Sequence, residues 1–284
     1  MRGISESLAG RTAFMDLPPF RWDEVVGRPR SRSLATLWLR GGYPDAFLAR
    51  SDGGREDWME AYTRAFIERD LPALGIDVSP SQMRRLWTML AHVNGGLWNA
   101  SQLAASLGVS YHTVDRYVDI LEQAFLIRKL APYFANLGKR LVKSPKVYFR
   151  DTGLLHYFLG IHSARQLDTH PTRGASFEAF VIDQLVSGYK RIDPGCQAWF
   201  WRTAQGDEVD LLIETRSRLV PFEVKLHSAP APDAARSLWR CMADLKLRRG
   251  YVVHAGATSY SLGRGVTALP VAELLARPAR LARL

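Results

Sequence analysis

An acid, a gap of twelve residues and then Glu-x-Lys run from Asp210 to Lys225. Side chains alternate faces along a strand. In Glu208–Glu214 this sets Asp210 with Glu208, Leu212 and Glu214, and turns Val209, Leu211 and Ile213 the other way. In Val220–Lys225, Glu223 and Lys225 share a face and Val224 opposes them. Arg216-Ser217-Arg218 is a polar break of hairpin length. Pairing the two strands gathers Asp210, Glu223 and Lys225 on one surface. Two adjacent carboxylates make a hard oxygen site suited to Mg²⁺ or Mn²⁺. Such an ion acidifies a bound water and neutralises charge on a phosphodiester, while a neighbouring lysine orients the water or stabilises developing charge.

The elements that must position this trio are readable on either side of it. Arg173–Leu185 has Phe177, Phe180, Val181 and Leu185 at helical spacing, with Glu178 among them. A lone carboxylate in such company is costly unless it meets a cation or a donor. The expected order continues as strands Gln197–Arg202, Glu208–Glu214 and Leu219–Lys225, helix Asp233–Leu247, strand Gly250–His254, and a final strand and short helix over Val266–Leu275. The helix-to-strand return predicts a mixed α/β layer. Arg236 and Arg240, one turn apart, are candidates to face the site. Trp199, Trp201 and Trp239 read as core or interface residues, and Arg280–Leu284 as a frayed tail.

Trp199–Arg202, Gln205–Asp210 and Phe222–Lys225 together resemble the metal-binding hairpin of the PD-(D/E)XK nuclease fold. The resemblance implies that Glu178 is the third acid of a catalytic set with Asp210, Glu223 and Lys225, and that Asp210 and Glu223 hold the metal. Folds host many functions, so a scaffold of this kind can also outlive its chemistry.

The chain has 284 residues, 47% of them hydrophobic and 23% charged, enough for two or three modest domains. No apolar run approaches a membrane span and the N-terminus lacks a signal-peptide pattern. Cys196 and Cys241 are the only cysteines and have no metal spacing, which points to a reduced, cytoplasmic protein. The net charge of +10 favours a polyanionic partner. The excess is local: ten cations face three acids between Ser81 and Arg150.

That basic stretch also has a pattern. Ser81–Val93 carries a helical stripe, Asn99 caps a helix to Leu107, Gly108–Ser110 turns, and Tyr111–Glu122 forms a second helix with Val114, Tyr117, Val118 and Leu121 inside. Two strands, Phe125–Leu130 and Val147–Phe149, flank a basic loop. This predicts a winged helix-turn-helix. Tyr111, His112, Thr113 and Arg116 occupy the positions that face base edges, and Lys139, Arg140, Lys143 and Lys146 are placed to neutralise DNA phosphates. Upstream, a helix Glu56–Leu71 is expected to end before Pro72.

Over nearly its whole length the chain resembles a prokaryotic family of AAA-type ATPases with a C-terminal domain of unknown function. There a winged helix precedes a PD-(D/E)XK-like domain. The matching residues are Glu6–Arg11, Gly41–Pro44, Glu68–Asp70, Pro145–Asp151, Phe177-Glu178, Trp201-Arg202, Glu208–Asp210 and Phe222–Lys225. The resemblance implies a lid-like helical remnant over 1–75, a winged helix over 76–160, and a nuclease-like mixed sheet flanked by helices over 170–284. It also implies a link to DNA and an ATPase partner. No Gly-x-x-x-x-Gly-Lys-Ser/Thr loop is present, Gly138-Lys-Arg140 being the nearest string. Arg11 reads as a surface arginine, and no nucleotide site or hydrolysis is expected. The chain starts where such an ATPase core would be ending. Two rival roles follow: a non-catalytic DNA-binding or regulatory module, and a docking subunit for an ATPase.

Overall fold

A computed structural model describes residues 16–28, 33–76, 78–133 and 144–284. Short helices come first: α1 (Trp22–Val25), α2 (Leu34–Arg40) and α3 (Pro44–Leu48). α4 (Asp52–Ala65) follows and runs through a π turn (Phe66–Asp70) into α5 (Leu71–Ala73). The proline therefore does not end this helix as expected. The wide turn returns the Leu71 N–H to the Phe66 carbonyl, and Pro72 then sits in a new first turn, where its missing N–H is tolerated.

The middle of the chain follows its periodicity. α6 (Pro80–His92), α7 (Ala100–Leu107) and α8 (Tyr111–Gln123) bury Leu86, Trp87, Leu90, Leu103, Val114, Val118 and Leu121 together. Asn99 and Ser110 cap α7 and α8 by accepting from Gln102 and Thr113 N–H groups at 3.2 and 3.1 Å. Gly108 makes the turn between them at φ +71°. β1 (Ile127–Pro132) and β2 (Lys146–Phe149) then pair antiparallel.

α9 (Thr152–Phe158), α10 (Ala164–Thr169) and the long α11 (Arg173–Ile192) lead into β3 (Gln197–Arg202), β4 (Glu208–Glu214) and β5 (Leu219–Lys225). A 3₁₀ turn opens α12 (Arg236–Asp244), and β6 (Gly250–His254), β7 (Tyr260–Gly263), β8 (Val266–Pro270), α13 (Val271–Leu275) and α14 (Pro278–Leu281) complete the chain. The result is a mixed α/β protein with a sheet ordered β2-β1-β3-β4-β5-β6-β8-β7. β1 pairs with β2 through Leu130 and then runs parallel to β3 from Ala131. This joins the helix-rich half to the sheet.

Two cores sandwich the central strands. Phe180, Val181 and Leu185 of α11 pack on Leu211, Ile213, Phe222 and Val224, while Leu238 and Cys241 of α12 pack on Val209, Leu212 and Val252. Trp201 is buried in the second core, with Trp199 and Trp239 packed against it. Trp22 and Trp38 join the first: the Trp22 backbone N–H donates to Gln184 Oε1 at 2.7 Å, Trp22 Nε1 to the Ala272 carbonyl at 3.1 Å, and Trp38 Nε1 to Ser176 Oγ at 2.9 Å. The tail expected to fray is docked, with Leu281 buried and the Tyr251 hydroxyl donating to the Leu284 carbonyl at 3.2 Å. No helix among the described residues is long and apolar enough to cross a membrane.

Candidate active site

The β4–β5 hairpin pairs Leu211 with Phe222 through Glu214 with Leu219, and the ladder stops there. One step further the strands part, at Asp210 and Glu223. The Asp210 carboxylate bridges the gap, its Oδ2 accepting from the Val224 N–H at 2.8 Å. On the other edge of β4, Leu212 faces Trp199 and Val209 faces Trp201. β4 thus takes three steps where β3 takes two, which puts an extra residue at Asp210–Leu211. Such a bulge re-aims side chains. It also corrects the expected alternation, because Val209 enters the α12 core while Leu211 and Ile213 enter the α11 core.

Asp210 and Glu223 are buried, at 7% and 6% exposure. Lys225 Nζ lies 2.6 Å from Glu223 Oε1. Glu223 Oε2 is buried with no hydrogen-bond partner. α11 delivers Glu178, whose Oε1 accepts from the Tyr148 hydroxyl at 2.5 Å and lies 3.2 Å from Lys146 Nζ. Lys146 also pairs with Glu208, whose other oxygen is 2.9 Å from Arg202 Nη1. The expected set of Glu178, Asp210, Glu223 and Lys225 is therefore brought together, and Lys146, Tyr148 and Glu208 join it.

Four carboxylates share this site with Lys146, Lys225 and Arg202. Burial, then the charges of Glu223 and Glu178, hold the Asp210 carboxyl well above the usual carboxylate range. Burial pushes Glu223 up to about 6, against the opposing pull of Lys225. Burial disfavours the Lys146 ammonium, but Glu178, Asp210 and Glu208 outweigh it and raise its pKa above that of an ordinary lysine. Tyr148 is kept protonated by burial and by Glu178, and so serves as a donor.

Among the described residues no group of three or more His, Cys, Asp or Glu side chains is placed to hold a metal ion. The pair Asp210 and Glu223 still fits a divalent cation of the Mg²⁺ type, which takes one or two protein carboxylates and fills its shell with water. The unpartnered Glu223 Oε2 is the observation behind that fit. Glu178 meets Lys146 and Tyr148 through Oε1.

The candidate DNA contacts divide. Tyr111, His112 and Arg116 are exposed at the start of α8 and Thr113 is half-buried. Lys139, Arg140 and Lys143 lie outside the described residues. Lys146 is not on the surface as expected. It is 4% exposed and committed to Glu178 and Glu208, because β2 is drawn toward the sheet through β1. Other cations of the basic stretch are likewise paired: Arg84 with Glu60 at 2.7 Å, Arg128 with Asp183 at 2.8 Å, Arg150 with Asp16 at 3.2 Å, and Lys129 with Asp119. Much of the local excess is thus a counter-charge to acids elsewhere in the fold. Arg236 and Arg240 are exposed, and Arg240 pairs with Asp207.

Lys146 and Tyr148 share a strand face in Lys-Val-Tyr, which is a signal, but nothing local tells which acids that face will meet. Glu208 carries a clearer mark, its shared parity with Asp210.

Residues 31–165 match the family described as Domain of unknown function (DUF8612), and residues 173–274 match the Domain of unknown function (DUF4143). No solved structure matches the chain. Similar curated chains are uncharacterized protein Rv2008c of Mycobacterium tuberculosis and uncharacterized protein Mb2031c of Mycobacterium bovis, each 42% identical over 271 residues. The match takes in 95% of this chain and 59% of either relative, so the chain spans about three fifths of the length of these mycobacterial proteins.

Proposed function

We propose that the sheet carries a PD-(D/E)XK nuclease-like site that hydrolyses phosphodiester bonds with Mg²⁺ or Mn²⁺, in a cytoplasmic, DNA-associated protein. The observation that carries this reading is the parting of β4 and β5 at Asp210 and Glu223, which leaves two buried carboxylates beside Lys225. Asp210 and Glu223 would hold the ion, which when bound supplies an acidified water and charge neutralisation. Asp210 is oriented by the Val224 N–H, and Glu178 by Tyr148. Lys225, with its side chain 39% exposed, reaches the open side, where it orients water or meets charge on a phosphate. α6–α8 with β1 and β2 form a winged-helix unit that presents Tyr111, His112, Thr113 and Arg116 to DNA.

Calorimetric titration of Mn²⁺ into wild type and Asp210→Ala, with supercoiled plasmid incubated in parallel, tests this. Binding and nicking in wild type alone are expected. Neither in wild type would overturn it. A second reading, a non-catalytic DNA-binding or regulatory module or a docking subunit for an AAA-type ATPase, draws on one observation. Lys146 already supplies a buried positive charge inside the acid cluster.

A further inference from the structure

Lys146 stands in the acid cluster without a part in the proposed chemistry. It comes from β2, outside the hairpin that supplies the metal-binding acids, and is 4% exposed. Its ammonium meets Glu178 at 3.2 Å and Glu208 in a close ion pair, and lies 5.9 and 5.8 Å from the ring centroids of Tyr148 and Phe200. A charge this deep persists only with such partners around it. The two lysines divide the acids between them, Lys146 meeting Glu178 and Glu208 and Lys225 meeting Glu223. Glu178 Oε1 accepts from both Lys146 and Tyr148, and Glu208 is held by Lys146 and Arg202. Glu223 has Lys225 on one oxygen and no partner on the other.

We propose that Lys146 is a built-in cation that divides the cluster. It keeps Glu178 and Glu208 as its own counter-ions and leaves Asp210 and Glu223 as the ligand pair for a single divalent ion. The proposal rests on the metal-site reading and adds its stoichiometry. An ammonium fixed on Glu178 Oε1 repels a second cation from that side of the cluster. Lys146 is thus a positioning residue, and its removal opens the Glu178 side to metal.

The test is Mn²⁺ calorimetry, with Tb³⁺ luminescence as a readout independent of cleavage. It compares wild type, Glu178→Gln, Lys146→Met, and Lys146→Met with Glu208→Gln. The double variant removes a carboxylate with its lysine, so that the fold is not left with as large an unpaired charge. With Lys146 present, Glu178→Gln is expected to leave Mn²⁺ affinity within about threefold, a change under one kcal/mol. Without Lys146, affinity rises by about tenfold or more, or a second ion binds, as expected when a neighbouring positive charge is removed. Metal binding in wild type with equal affinity and stoichiometry in the lysine variants would overturn the division while sparing the metal reading. Metal binding only in the lysine variants would overturn the metal reading of the native protein and, with it, the ligand pair that the proposal leaves to a single ion. No binding in any of them removes both. Should neither lysine variant fold by circular dichroism, Glu178→Gln decides: a tenfold loss of affinity there means that Glu178 is a ligand and the proposal fails.

Discussion

The Asp210 carboxylate accepts from the Val224 backbone N–H at 2.8 Å, in the place where the β4–β5 ladder has just ended. A side chain has replaced a strand partner. The exchange satisfies the buried N–H that the parting strands would otherwise strand, and it fixes the carboxylate beside Glu223. The same contact therefore closes the hairpin and builds the site. Holding two acids this way has an energetic cost, because burial acts on both, joined by the charges of Glu223 and Glu178 at Asp210 and of Glu178 and Glu208 at Glu223.

That cost is measurable through pH. Glu223 stands at about 6 in the fold, against about 4.3 for an unperturbed glutamate. A carboxyl raised on folding binds its proton more tightly in the native state. Its ionisation thus lowers stability as pH rises from about 4.3 to 6, and the loss stays constant above that range. Glu223→Gln is expected to stabilise the protein by about 2 kcal/mol at pH 8, and by nothing at pH 4. Urea unfolding at the two pH values checks this. An equal effect at both would mean that the substitution acts through packing.

Lys225 should separate chemistry from folding. Its side chain is more than a third exposed while Glu223 is buried, so breaking the pair leaves a buried carboxyl that takes up a proton, and the fold is kept at a modest cost. Lys225→Met is expected to abolish plasmid nicking with the circular dichroism spectrum intact. Cleavage that survives in clean protein would remove Lys225 from the mechanism.

Local signals carried far into this structure and stopped at long-range ones. The spacing of Asp210, Glu223 and Lys225 places them on adjoining strands because hairpin register follows from turn length and alternation. Asn99 and Ser110 cap the helices their sequence context indicates. The burial of Lys146 is not legible locally because its surroundings depend on β1 meeting β3 at Ala131 and Trp199, a pairing that no local pattern encodes. The bulge at Asp210–Leu211 has no glycine to announce it. Trp22 and Trp38 read as core residues, but only tertiary structure shows that their indole N–H groups reach the Ala272 carbonyl and Ser176 Oγ.

The junction of α2 and α9 should be intolerant for a stated reason. Asp151 caps α9 by accepting from the Leu154 N–H at 2.8 Å and also accepts from the Gly42 N–H at 2.6 Å. Gly41 sits beside it at φ +77°, where an added Cβ would strike the Asp151 carboxylate. Gly41→Ala is expected to cost about 3 kcal/mol or more, strain and collision together. In an Asp151→Ala background the collision disappears and the cost should fall to about 1–2 kcal/mol. Urea unfolding of the four-member cycle measures the difference, and strict additivity would mean that the two residues do not meet.

The exposed start of α8 offers the sharpest test of nucleic-acid contact. Each phosphate neutralised by a side chain adds about one unit to the slope of log affinity against log salt. Arg116 is exposed, with its guanidinium 5.6 Å from the ring centroid of Tyr117, so replacing it should leave the fold intact. If it meets a phosphate, Arg116→Ala weakens duplex binding and lowers that slope by about one. Arg85, on α6 and outside the candidate contacts, serves as the control, and Arg85→Ala should leave the slope unchanged. Fluorescence anisotropy across a salt series reads both. A slope that Arg116→Ala does not move would take that contact out of the interface, and the electrostatic case would then pass to Lys139, Arg140 and Lys143.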